Sequence, residues 1–161
     1  MEATCMGDPP NYMKLGAVRG ALRNIEVDES GFPLVIARFR DQSSDDEFAA
    51  YLKDLDQLFT RRQHFALVID TTSRRDTPPL HRRMQADWMR DRAMLIRLFN
   101  VGTALVVPSM VQRGVLTAIL WMQPMPCPHY TCETAPEAIR WCRAQLAAHA
   151  TTQGKTETPS R

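Results

Sequence analysis

The stretch SDDEFAAYLKDLDQLFTRRQHFALVID, residues 44–70, carries a complete helix-to-strand unit. Ser44 and Glu47 stand at the spacing of a capping box, and Asp45, Asp46 and Glu47 sit where the positive end of a helix dipole favours them. A helix is predicted to start there. Phe48, Tyr51, Leu52, Leu55, Leu58 and Phe59 then recur at helical spacing as one apolar stripe, with Arg61 and Arg62 at the negative end. Phe65 to Ile69 follows as a continuous apolar run ending at Asp70, the pattern of a strand covered on both faces with its carboxyl end open. A one-faced helix feeding a two-faced strand predicts an α/β domain with a parallel central sheet.

Upstream, Arg23–Val27 and Leu34–Arg40 flank the turn cluster Asp28-Glu29-Ser30-Gly31, where the glycine can supply positive φ, and are predicted to pair as a hairpin. Downstream, Thr71 to Pro79 has no apolar period and contains Thr77-Pro78-Pro79, so it is a long connection. A second helix is predicted over Leu80–Phe99 and a second buried strand over Val101–Val107, stopped by Pro108. Ser109 can cap a third, very apolar helix to Trp121, with Val111, Val115, Leu116, Ile119 and Leu120. Pro124, Pro126 and Pro128 place the next strand, His129–Cys132, at a sheet edge. Thr134-Ala135-Pro136-Glu137 is a second capping box opening a last helix, with Ile139, Cys142 and Leu146 facing inward. The order is β-β-α-β-α-β-α-β-α, an α/β fold with a mixed sheet of about five strands and four helices. Residues 1–15 and 150–161 are expected to be tails around one domain, 16–149.

Composition agrees with one domain: 161 residues, 44% hydrophobic and 24% charged, are far from the profiles of disordered, collagen-like or coiled-coil chains. Twenty Lys and Arg against eighteen Asp and Glu leave a formal charge of +2, too weak an excess for a dedicated nucleic-acid binder. No apolar run approaches the roughly 20 residues of a membrane span, and the opening MEATCMGDPPNYMK has no apolar centre, so a cytoplasmic chain is expected. Cys5, Cys127, Cys132 and Cys142 include no C-x-x-C pair, and reduced thiols acting as small apolar residues are expected in preference to a zinc set with His129. There is no G-x-S-x-G, no phosphate-loop signature, no G-x-G-x-x-G and no H-E-x-x-H. No catalytic residue, metal or cofactor is expected. His64, His81, His129 and His149 make no pair at helical spacing and are expected at the surface or its edge.

The leading hairpin, Val68-Ile69-Asp70 followed by Thr71-Thr72-Ser73, and the closing Thr134-Ala135-Pro136-Glu137-Ala138-Ile139-Arg140-Trp141 together resemble the STAS and anti-sigma-factor-antagonist (SpoIIAA-like) domains over about residues 18–148. The resemblance implies a STAS-like fold and a non-enzymatic bacterial regulatory or scaffold module that docks on another protein. It also implies a switch by phosphorylation of a Ser or Thr just after the strand ending at Asp70, here Thr71, Thr72 or Ser73. The family's tight Asp-x-Ser-Gly turn is replaced in this chain by the longer run from Asp70 to Pro79.

Asp70, the three hydroxyls and Arg74-Arg75 therefore form the first candidate site, since ligands dock at strand ends of open α/β sheets and two guanidiniums could hold an added phosphate. The plainer alternative is a surface turn with Asp70 bonded to nearby amides. On the second helix, Leu80, Met84, Trp88, Leu95, Leu98 and Phe99 share an arc taken as inward, although Asp87 and Asp91 fall within it. Those carboxylates are read as arginine-paired rather than as an acid–base pair. The opposite side carries Met89 and Ile96 beside a basic stripe of Arg82, Arg83, Arg90 and Arg97, and is the expected interface for a protein partner or a second copy. Nine methionines and the apolar third helix support an alternative function, a small-molecule or lipid carrier.

Overall fold

The computed structural model describes residues 23–156. The expected N-terminal tail, 1–15, lies outside the described residues. Strands β1 (Ile25–Asp28), β2 (Leu34–Phe39), β3 (Phe65–Asp70), β4 (Asn100–Val106) and β5 (His129–Cys132) form one sheet in the order β1-β2-β3-β4-β5. β1 runs antiparallel to β2, and all other neighbours are parallel. The fold is α/β with a mixed five-stranded sheet, as the sequence predicts.

Helices α1 (Asp45–Thr60), α2 (Pro79–Asp91), α3 (Ala93–Phe99), α4 (Met110–Met122) and α5 (Ala135–Thr156) complete the chain. Strand order advances one way, so crossovers of one hand place the connecting helices α1 to α4 on the same face, and α5, which leads to no further strand, covers the other. Strand alternation divides the core accordingly. Phe65, Leu67 and Ile69 of β3 pack with α1 and α2, whereas Ala66 and Val68 meet α5.

The local signals explain the element ends. Ser44 accepts from the Glu47 amide while Glu47 accepts from the Ser44 amide at 2.9 Å, and Glu47 also accepts from the Asn24 amide at 3.1 Å, so the box fastens the chain before β1 as well. Ser109 Oγ accepts from Gln112 N and starts α4. The turn after β1 closes with Phe32 N donating to the Glu29 carbonyl and Leu34 N to that of Gly31, without a positive φ at Gly31.

Three sequence expectations are corrected. The predicted helix 80–99 is two helices, because Arg92 leaves the helical region at φ −106°, ψ 8°. Arg92 donates through Nε and Nη2 to both oxygens of Asp56 on α1, at 3.0 and 3.1 Å, and Trp88 Nε1 donates to Asp56 at 2.9 Å, so the break is anchored. The capping box at Thr134 is not made: Glu137 instead accepts from the Tyr130 hydroxyl at 2.6 Å. The polar stretch expected to be a tail from residue 150 remains helical to Thr156, with Thr151 and Thr152 hydroxyls donating to carbonyls one turn back.

Candidate functional site

The face covered by α1, α2 and α4 is not filled. A cavity of about 180 Å³ lies between the sheet and these helices. Its floor is Leu67, Thr103 and Leu105, its sides are Leu55 and Met89, and α4 stands over it with Val115, Leu116 and Leu120.

Polar side chains gather at one end, where the connection after β3 enters the core. Arg74 is buried, with 8% of its surface exposed, and its guanidinium lies 4.7 Å from the centre of the Phe39 ring and 5.6 Å from that of Phe48. Nε donates to the Asp76 carbonyl at 2.9 Å, and Nη2 donates to His81 Nδ1 at 3.1 Å. His81 is fully buried, stacks on Phe48 at 4.4 Å, and faces Asp45 Oδ1 through Nε2 at 2.9 Å. Because arginine can only donate, Nδ1 must accept; the imidazole is assigned as the neutral Nε2–H tautomer, donating to Asp45. Burial lowers the Arg74 pKa from its usual value, opposed by the nearby Tyr51 and Asp76.

Tyr51 completes this end. Its ring packs edge-on against Phe39, the side chain is 2% exposed, and its hydroxyl has no hydrogen-bond partner. Burial pushes its ionisation well above the ordinary phenol range, with Arg74 acting the other way. Two other polar groups on the wall are engaged: Asn100 donates to Thr103 Oγ1 and accepts from Gly102 N, and Gln112 donates to the Arg74 carbonyl.

The strand-end group expected from the sequence is dispersed. Asp70 Oδ1 accepts from the Thr72 amide at 2.9 Å and the Thr72 hydroxyl at 2.6 Å, forming a closed turn. Thr71 donates its hydroxyl to the Val106 carbonyl, and Ser73 is exposed. The two arginines part company: Arg74 turns into the core, while exposed Arg75 lies 3.7 Å from Asp41. They cannot clasp one phosphate as the sequence reading supposed.

The expected interface is also corrected. Met89 and Ile96 are buried, at 4% and 3% exposure, and face the core. The apolar residues left outside are Leu80, Met94, Leu95 and Leu98. The arc chosen as inward contained Asp87 and Asp91; the helix resolves that conflict by turning roughly a quarter turn, which sends both carboxylates to solvent. There they share Arg90, at 2.9 and 3.5 Å, away from the cavity. Of the basic stripe, Arg83, Arg90 and Arg97 are exposed and Arg82 reaches the cavity wall.

The sequence predicts His81 at the surface and Tyr51 as one member of a stripe; the structure buries both at the polar end of the cavity. The available signal was a tyrosine amid aliphatic core positions and a histidine two residues after Pro79, both facing an arginine-bearing connection. Among the described residues, no three His, Cys, Asp or Glu side chains converge as a metal set, and no helix is long and apolar enough to cross a membrane. Cys127, Cys132 and Cys142 are buried free thiols, and burial pushes Cys142 up to about 12. Set against models of protein families, curated proteins and solved structures, the chain matches none of them.

Proposed function

We propose that this domain is a non-enzymatic binding module that shelters a small apolar molecule between its sheet and α4. The observation that carries the reading is the cavity of about 180 Å³, its wall mostly aliphatic and aromatic side chains. An apolar cavity of about 150 Å³ accommodates one benzene ring, so the space suits a compact ligand and is far too small for a drug-sized molecule or a long acyl chain. Toluene is the simplest probe. Titration followed by methionine methyl NMR is expected to shift Met89 and Met125, which line the cavity, saturably and ahead of Met94 on the surface. Unmoved Met89 and Met125 signals at saturating toluene would contradict the reading.

A second reading is favoured by Met94, 81% exposed, Leu98, and the α4 residues Met110, Val111 and Trp121. It is the STAS-like regulatory or scaffold role in a bacterial cytoplasm, with a protein partner or a second copy rather than nucleic acid. Exposed Thr72 or Ser73 would then be its switch hydroxyl. Met94→Asp with Leu98→Asp is expected to abolish such association in light scattering and pull-down; unchanged association would remove these residues from the interface.

A further inference from the structure

The cavity is apolar along most of its wall, yet one end carries a cation that the chain leaves without a counter-ion. Among the described residues no carboxylate comes within ion-pairing distance of the Arg74 guanidinium; its protein partners are a carbonyl and a neutral imidazole, and Nη1 has none. Asp76, on the same wall, turns its carboxylate to the Thr77 amide at 2.6 Å. Asp45 lies beyond His81, reaching Arg74 only through the ring.

A buried cation without an opposite charge is costly, and so is a buried hydroxyl without a partner. The protein keeps both at the same end of one cavity, and holds each rigidly. Arg74 is clamped by two aromatic faces and two hydrogen bonds, and Tyr51 by contacts with Phe39 and Phe48. The Tyr51 hydroxyl is not required by the fold where it stands, since a phenylalanine would pack the same rings, and Arg74 offers more donors than the Asp76 carbonyl and His81 Nδ1 take up. Their shared unmet need is an acceptor bearing negative charge. Arg82, on the same wall, is half-exposed, so the buried donors are one guanidinium and one hydroxyl, which suit a single negative charge better than a phosphate dianion.

Resting on the binding reading above, we propose that the ligand is a small carboxylic acid in its ionised form. Its carboxylate sits between the Arg74 guanidinium and the Tyr51 hydroxyl, and an apolar body of about one aromatic ring fills the space beneath α4. The neutral tautomer of His81 leaves the arginine's charge intact for that carboxylate, and Asp45 fixes the tautomer. The connection from Thr71 to Pro78 is then long because it must carry Arg74 inward and return to the start of α2.

Phenylacetate and phenylacetamide differ in charge and little in shape, so calorimetric titration of both into the intact protein separates the two proposals. Phenylacetate is expected to bind on the order of 10-fold or more tightly than the amide. Arg74→Met should shrink that preference to within about two-fold, and Tyr51→Phe should weaken phenylacetate by about 3- to 10-fold and the amide by less. Equal affinity for acid and amide in the unaltered protein would overturn the carboxylate assignment and leave the cavity reading standing. No binding of either, nor of toluene, would overturn both. If circular dichroism shows Arg74→Met unfolded, Tyr51→Phe decides, since it deletes only a partnerless hydroxyl; an undiminished preference for the acid in that variant would then overturn the assignment.

Discussion

The two faces of the sheet are covered in opposite ways. Under α5 the inward side chains are small, with Ala66, Val68, Ala104, Val106, Ala138 and Cys142 all fully buried, and the helix lies close on the strands. Gly102 marks the closest approach: a Cβ there would meet the Trp141 ring at 2.9 Å. On the other face Phe65, Leu67 and Leu105 are larger, three helices cover them, and space still remains. Protein interiors normally close such gaps, because a void forfeits dispersion contacts along its lining. A single helix can seal a face of small residues; α1, α2 and α4 leave a chamber over a face of large ones. On the binding reading proposed above, the difference separates a face built for stability from a face built to hold something.

The largest expected effect lies on the sealed face. Gly102→Val should destabilise the domain by about 1–3 kcal/mol in denaturant titration, because the added side chain forces the Trp141 ring and Gln145 off their packed positions. A neutral result would mean that this face is not tightly packed and would erase the contrast. Next comes the anchor of the open face. Asp56→Ala strips three hydrogen bonds from Trp88 and Arg92 and should lower stability by about 1–2 kcal/mol, with looser protection of α2 and α3 in hydrogen exchange.

A smaller effect sharpens the link between hairpin and helix. The Ser44 and Asn24 amides hold the Glu47 carboxyl below its ordinary value of 4.5, so its folded-state pKa is depressed. The stability it confers is complete above that value and is lost as the pH falls through the folded-state pKa. Glu47→Gln should therefore cost about 1 kcal/mol near neutrality and nothing extra in acid, giving a flatter dependence of the unfolding midpoint on pH below about 5. An unchanged acid dependence would contradict the cap's role. The smallest effect is on the unliganded chamber. Tyr51→Phe should leave stability unchanged or raise it by up to about 1 kcal/mol, since the hydroxyl has no partner. A loss of that size would show that the hydroxyl is already satisfied.

Much of this architecture was legible in the sequence because its causes are local. The Ser44 cap, the stripe from Phe48 to Phe59, the run Phe65–Ile69 and the prolines before β5 each act within a few residues. The orientation of α2 and α3 was not legible. Apolar residues lie on most of their circumference, and the tie is broken by polar groups satisfied at a distance: His81 by Asp45 and Arg92 by Asp56. The candidate site was half visible. Arg74 stood in the connection singled out after β3, but its burial depends on Phe39 and Phe48 and its partner on His81. That Tyr51 would be left unpaired has no sequence signature, since partnerlessness is a property of the assembled core.

The most direct measurement is a crystal structure of the protein with phenylacetate. The carboxylate is expected within hydrogen-bonding distance of Arg74 and the Tyr51 hydroxyl, with the ring against Leu105 and Leu120. A chamber filled by its own side chains, or phenylacetate found only elsewhere, would contradict it.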